Sequence, residues 1–195
     1  MKEAIHALKY DSLQATARPL GRMLAAAIAQ LAAETPAELL VVPIPLHRSK
    51  YAQRGFNQAR SLAREALAVL HKTHPQWRLT LASSTLMRLR ATESQAGLTP
   101  RQRRLNVRGA FSVSDPATVT MKHVLLIDDI LTTGATARAA AQALAQAGAA
   151  SVWVATLARA RRAAAFPVQD DQNEDMPQAA NLAATVISPA GQPPF

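Results

Sequence analysis

The run His123-Val124-Leu125-Leu126-Ile127-Asp128-Asp129-Ile130-Leu131-Thr132-Thr133-Gly134-Ala135-Thr136 is the most informative part of the 195-residue sequence. Val124 to Ile127 is uninterrupted apolar sequence, as expected of a central parallel strand covered on both faces. Two aspartates and a Thr/Gly turn close it. Ala140, Ala143, Leu144 and Ala147 then share one helical face, and Gly148 stands past the helix end. Ser151 to Ala158 alternates and predicts the next strand. A strand, loop, helix and strand in that order require a parallel sheet with a right-handed crossover. The predicted class is therefore α/β, a parallel sheet flanked by helices.

The flanking sequence agrees. Ala17, Leu20, Leu24, Ala27, Ile28 and Leu31 recur at helical spacing and predict a helix from Arg18 to Ala33, with Pro19 in its first turn. Leu39 to Val42 predicts a buried strand, and Pro43 and Pro45 keep the backbone after it extended. His47 to Phe56 is polar and basic and is expected to be a loop. A second apolar stripe, Ala59 to Leu70, predicts a helix with Asn57 as N-cap. Strands are expected at Arg78–Leu81 and Leu86–Leu89, a short helix opening at Pro100, and an edge strand at Phe111–Val113. Residues 1–165 are expected to form one domain. Residues 166–195 hold four acids, no Lys or Arg and five prolines, and are expected to be a disordered tail whose removal costs little. Within it, Ala183 to Ile187 is a candidate marginal strand.

Composition removes several function classes. There is no cysteine, which excludes disulfides, zinc–thiolate sites and a cysteine nucleophile. Aromatics are 4 %, so the core must be built from Ala, Leu and Val. The first residues show no signal-peptide pattern, and no stretch of 18 or more apolar residues lacks charge, so no membrane span is expected and the cytoplasm is the expected location. The net charge is +9. Residues 47–108 carry Arg48, Lys50, Arg54, Arg60, Arg64, Lys72, Arg78, Arg88, Arg90, Arg101, Arg103, Arg104 and Arg108 against only Glu65 and Glu93. Such a block attracts phosphates or nucleic acid.

In open α/β sheets ligands bind at the carboxyl ends of the strands. Asp128 and Asp129 stand there, followed by the small residues Thr132, Thr133, Gly134, Ala135 and Thr136. Small residues let backbone N–H groups and a helix N-terminus wrap an oxyanion, and threonine hydroxyls add donors. The aspartates repel phosphate but accept hydrogen bonds from sugar hydroxyls or act through a bound Mg²⁺. A ligand with a phosphate at one end and a ribose diol at the other suits both halves. No G-x-x-x-x-G-K-[ST] and no G-x-G-x-x-G occurs, so neither a P-loop nor a dinucleotide fold is expected.

Ile127 to Thr136 resembles the signature of type I phosphoribosyltransferases. Val42-Pro43-Ile44-Pro45-Leu46-His47 with Arg54-Gly55-Phe56-Asn57-Gln58 resembles the ComF/GntX group within them. So does Thr92 to Leu98 followed by Arg101, Arg104, Asn106-Val107-Arg108 and Ala110-Phe111, and Ile5 to Tyr10 is similar to that group's opening. The resemblance implies phosphoribosyl pyrophosphate as ligand. Asp128 and Asp129 would meet its ribose, and Thr132 to Thr136 its 5-phosphate. Arg48, Lys50 and Arg54 would face its pyrophosphate, with Mg²⁺ held through the ligand and not directly by the protein. Gln95, Arg101 and Arg104 would belong to a mobile loop over the site. ComF-type proteins commonly carry a four-cysteine zinc module, which this cysteine-free sequence lacks. The absent cysteine also excludes glutamine amidotransfer, an activity attached to the group by name.

Three functions follow from these readings. One is transfer of phosphoribose to a nitrogenous acceptor, with the cations stabilising the departing pyrophosphate. A second is binding of single-stranded DNA by the basic block, in keeping with the ComF group's association with DNA uptake and competence. A third is sensing of phosphoribosyl pyrophosphate without chemistry. His47 is the one histidine in a candidate site loop and is expected to cap rather than to transfer protons. Trp77 and Trp153 are expected to pack.

Overall fold

The computed structural model describes residues 14–91, 99–159 and 183–187. Helix α1 spans Gln14–Ala29. It is followed by strand β1 (Glu38–Pro43), helix α2 (Arg48–Arg54), helix α3 (Gln58–Thr73) and strand β2 (Arg78–Leu81). Strands β3 (Leu86–Arg88) and β4 (Phe111–Val113) flank helix α4 (Pro100–Val107). Strand β5 (His123–Leu131), helix α5 (Ala135–Gln146), strand β6 (Ser151–Arg159) and strand β7 (Ala183–Ile187) complete the order.

The main sheet has the order β2-β1-β5-β6-β7. Its first four strands are parallel, and β7 closes the β6 edge antiparallel. The expected parallel α/β sheet with flanking helices is therefore present. β3 and β4 pair antiparallel as a separate two-stranded sheet, so Phe111–Val113 is not an edge of the main one.

Two apolar layers cover the sheet. Leu39 and Val41 of β1, Leu125 and Ile127 of β5, and Trp153, Ala155 and Leu157 of β6 face α1 and α3. Val42, Val124, Leu126, Val152 and Val154 point the other way, toward Ala137, Ala140, Ala141 and Leu144 of α5 and toward Leu86 and Phe111. Alternation along each strand thus feeds both layers, which is why Val124–Ile127 reads as continuous apolar sequence. Burial of each Leu, Ile or Val there contributes about 1.5–3 kcal/mol before the entropy cost. Both tryptophans pack, as expected; Trp77 also donates its ring N–H to the Pro36 carbonyl at 3.0 Å.

Helices α1 and α3 cross at Gly21. A Cβ placed there would lie 2.3 Å from the Glu65 Cβ, so only glycine admits this approach.

Several expectations need correction. Helix α1 begins at Gln14 and ends at Ala29, which puts Pro19 inside it rather than in its first turn. Leu31 belongs to the same apolar face but lies in the turns that follow, where Leu31 N–H donates to the Ile28 carbonyl. The basic segment after β1 is a helix, not a loop. His47 caps its start by accepting the Ser49 N–H on Nδ1, and Gly55, at φ 75°, ends it. None of its residues is buried, so it carries no apolar stripe to read. Strand β5 runs four residues past the apolar run, through Asp128 to Leu131, because β6 continues beside it to Arg159. The strand expected at Ala183–Ile187 is present on β6. The tail expectation for 166–182 and 188–195 lies outside the described residues, as do residues 160–165 of the expected domain.

Candidate functional site

The site is built at the carboxyl end of β5, where the sheet is uneven. β1 pairs with β5 only as far as Pro43 opposite Ile127, with one further bond from Ile44 N–H to the Ile127 carbonyl at 2.9 Å. Beyond Ile127, β5 keeps only β6 at its side. Side chains satisfy the backbone there. The Asp128 carboxylate accepts the Asp129 N–H at 2.9 Å, and the Asp129 carboxylate accepts the Ile130 N–H at 2.8 Å. Both aspartates are half-buried. A carboxylate has about four acceptor positions, so one local bond leaves capacity for further donors.

The turn after β5 is three residues long. Thr132 is exposed, and Thr133 and Gly134 are half-buried. Gly134 adopts φ 70°, ψ 8° and forms the N-cap of α5 without a side-chain bond of its own. Thr133 supplies that bond instead, its hydroxyl accepting the Ala135 N–H at 3.4 Å. A hydroxyl that accepts can still donate. The first-turn N–H groups of a helix have no carbonyl partner within it, and they point outward as a weak positive pole. The nine residues read as one loop are therefore four residues of strand, three of turn and the first two of α5, Ala135 and Thr136. The carboxylates ride on the strand, and the residues expected to cradle an anion sit on the turn and helix start.

Helix α2 leaves the same end of the sheet, four residues after β1 stops. It carries Arg48, Lys50 and Arg54; Arg48 is exposed and the other two are half-buried. The link back to the sheet is Asn57. Its Oδ1 caps α3 by accepting the Arg60 N–H at 3.2 Å, and its Nδ2 donates to the Ile44 carbonyl at 3.0 Å. Asn57 thus ties the start of α3 to the residue that follows β1.

Of the residues expected on a mobile loop, Gln95 lies outside the described residues. Arg101 is exposed on α4, and Arg104 lies on the same helix. Thr99 and Gln102 cap that helix reciprocally, with Pro100 in its first turn. The loop's base is held by the Leu89 N–H to the Ala110 carbonyl at 2.9 Å and by the Arg90 guanidinium on the Arg108 carbonyl.

Two further cations, Arg138 and Arg88, were not singled out as candidate site residues. Arg138, one turn into α5, places Nη2 3.9 Å from where a Cβ on Gly134 would sit, so its guanidinium reaches back toward the turn. Arg88 stands on β3 opposite Phe111, its guanidinium carbon 5.4 Å from the centre of that ring. Burial pushes its pKa below the usual arginine range, and the nearby Asp128 carboxylate pushes the other way. The sequence held a signal for Arg88: it lies two residues from buried Leu86, on the inward face of a strand, where a charge needs a reason.

The phosphoribosyl transferase domain family matches residues 51–182, which include β5, the turn and α5. The chain belongs to this family. It is 34% identical over 157 residues to the DNA utilization protein YhgH of Escherichia coli O157:H7, covering 80% of this chain and 65% of that protein. It is 30% identical over 121 residues to competence protein F of Haemophilus influenzae, covering 62% of this chain and 50% of that protein. The chain therefore spans about half to two-thirds of the length of these relatives. Both agree with the ComF/GntX-type resemblance. Among solved structures it is similar to the glutamine phosphoribosylpyrophosphate amidotransferase of B. subtilis. That match has 22% identity and a TM-score of 0.42, covering 73% of this chain and 26% of that one. No helix among the described residues is long and apolar enough to cross a membrane.

Proposed function

We propose that this domain binds phosphoribosyl pyrophosphate at the carboxyl end of β5 and transfers its phosphoribosyl group to a nitrogenous acceptor. The observation that carries this reading is the order of parts along one short stretch. Two half-buried carboxylates end a strand, and a three-residue turn with a left-handed glycine follows at once, opening a helix of 12 residues. The turn and the helix start suit the 5-phosphate through backbone N–H groups and the Thr132, Thr133 and Thr136 hydroxyls. The carboxylates suit the ribose hydroxyls, which donate to them.

Breaking the bond between the sugar and pyrophosphate leaves positive charge on the sugar and negative charge on the leaving group. The protein's contribution is then to orient the sugar and to neutralise the departing anion. Arg48, Lys50 and Arg54 on α2 are suited to the second task, and arginine's planar fork matches phosphate oxygens. Mg²⁺, when bound with the ligand, would add charge neutralisation at the pyrophosphate. Adjacent carboxylates fit a cation that uses one or two carboxylates plus ligand phosphates.

Calorimetric titration with phosphoribosyl pyrophosphate and Mg²⁺, on the natural chain and on Asp128→Ala/Asp129→Ala, tests the reading. Saturable binding that the double variant loses while keeping its fold is the expected result. Unchanged affinity in a folded double variant would sink the assignment.

The basic block favours a second reading, binding of single-stranded DNA, and the relatives' names point the same way. Backbone binding falls steeply with salt. A salt series with an oligonucleotide, set beside the same series with phosphoribosyl pyrophosphate, separates the two.

A further inference from the structure

We infer that Asn57 is a positioning residue: it closes the loop of residues 45–56 at its base and so sets where helix α2 holds Arg48, Lys50 and Arg54 for a pyrophosphate group. The inference rests on the reading given under Proposed function and adds a residue outside both the phosphate turn and the basic helix.

The loop leaves from and returns to one point. Asn57 Nδ2 donates to the Ile44 carbonyl at 3.0 Å, across thirteen positions of sequence. Compact surface loops whose ends lie this close are frequently functional. Both flanks are rooted. Before the loop, Val42 and Ile44 are buried, and the Ile44 N–H donates to the Ile127 carbonyl at 2.9 Å, one residue ahead of Asp128. After it, Gln58 and Ala59 are buried, and Asn57 Oδ1 accepts the Arg60 N–H at 3.2 Å. The segment between is different. None of the α2 residues is buried, and Tyr51 is 47 % exposed. Its turns are held from within: the Tyr51 N–H donates to the His47 carbonyl and the Gly55 N–H to the Tyr51 carbonyl. Those bonds keep α2 helical but do not decide where it stands.

The two bonds of Asn57 have separate roles. The Oδ1 bond starts α3. The Nδ2 bond draws the ends of the loop together beside β5, and α2 is carried by those ends. Without it the base of the loop widens and the cations sample more positions. A ligand that they grip must then order them on binding, which lowers its affinity. A ligand gripped at Thr132 to Thr136 pays no such cost, since those residues lie past β5 and at the start of α5.

Serine separates the roles. Its hydroxyl caps a helix as asparagine does, but it is uncharged and too short to reach the Ile44 carbonyl while capping. Titrate the full chain and its Asn57→Ser and Asn57→Ala variants with inorganic pyrophosphate and with ribose 5-phosphate, each with Mg²⁺, and follow urea unfolding alongside. Both variants are expected to weaken pyrophosphate on the order of tenfold. Ribose 5-phosphate should bind them as it binds the natural chain. Stability should follow another order, with Asn57→Ser unfolding at higher urea than Asn57→Ala because it keeps the cap. Pyrophosphate affinity that is kept in the serine variant and lost in the alanine variant would overturn the inference in favour of a cap alone. Equal weakening of both ligands would overturn it in favour of a general disturbance of the site. A natural chain that binds ribose 5-phosphate but not pyrophosphate would overturn it and leave the reading of the turn standing. If the natural chain fails to bind ribose 5-phosphate, the proposed function falls and this inference falls with it. Where Asn57→Ser does not fold, Asn57→Thr caps in the same way and carries the same expectation.

Discussion

Gly134 is the hinge between the carboxylates and α5, and replacing it measures how firmly the turn is set. At φ 70°, ψ 8° it occupies the left-handed region. An L-residue with a Cβ pays about 1–2 kcal/mol there. Space is not the obstacle: a Cβ would stand 3.6 Å from Leu131 Cδ1 and 3.9 Å from Arg138 Nη2, both ordinary contacts. The cost of Gly134→Ala is therefore conformational, about 1 kcal/mol after the smaller entropy of the unfolded alanine chain is counted. For a chain of this size that lowers Tm by about 2–4 °C. Asparagine visits the left-handed region more readily than alanine, so Gly134→Asn should lose about half as much. Thermal unfolding followed by circular dichroism, with urea denaturation as a check, reads both variants. An alanine variant as stable as the natural chain would refute the left-handed turn. A loss above about 3 kcal/mol would refute the argument that space is not limiting. Affinity for ribose 5-phosphate should fall in the order Gly, Asn, Ala, because the turn N–H groups move with the backbone.

Three further outcomes are expected. Gly21→Ala forces α1 and α3 apart, since the new Cβ would meet the Glu65 Cβ at 2.3 Å and its backbone at 3.2 Å; a loss of about 1–3 kcal/mol in urea denaturation is expected, and a neutral result would contradict the close crossing. Asn57→Ala removes both the cap on Arg60 N–H and the bond to the Ile44 carbonyl, which should cost about 1–2 kcal/mol; Asn57→Asp should keep the cap and lose only the second bond, so its loss should be smaller. Ending the chain at residue 182 strips β7 from β6 and exposes the backbone edge from Val152 to Thr156; a lower Tm together with self-association in light scattering is expected, against the sequence-based expectation that the tail contributes little.

The centre of the fold was legible because its signals are local. Strand β5 and helix α5 have different periods joined by small residues, and the pattern Val-Leu-Leu-Ile before two aspartates has few other uses. Asn57 was legible as a cap because asparagine before an apolar stripe has a specific backbone role. Helix α2 was not, because every residue in it is at least partly exposed and helix without a buried face has no periodicity. The extent of β5 was hidden because Asp128 to Leu131 are held by pairing with β6, a partner about 28 residues away in register and invisible to local pattern. Arg88 was counted among the basic residues and not recognised as part of the site. Its position depends on the hairpin register with Phe111 and on how that hairpin seats against the sheet, and neither is a property of the residues next to it.

The paired aspartates have a local explanation and need a second. Where β1 stops and β5 continues, the Asp129 and Ile130 N–H groups are satisfied by the carboxylate of the residue before each. That need alone does not specify aspartate. Asparagine offers the same acceptor oxygen and carries no charge. Backbone satisfaction therefore accounts for a short acceptor side chain at 128 and 129 but not for the two negative charges. Under the proposed function, the hydroxyls of the sugar, which donate best to an ionised acceptor, or a cation carried with its phosphates, would supply the missing reason. The same partners would account for the charges preceding the turn, because a phosphate held at Thr133 and Gly134, as proposed, could not itself sit against them.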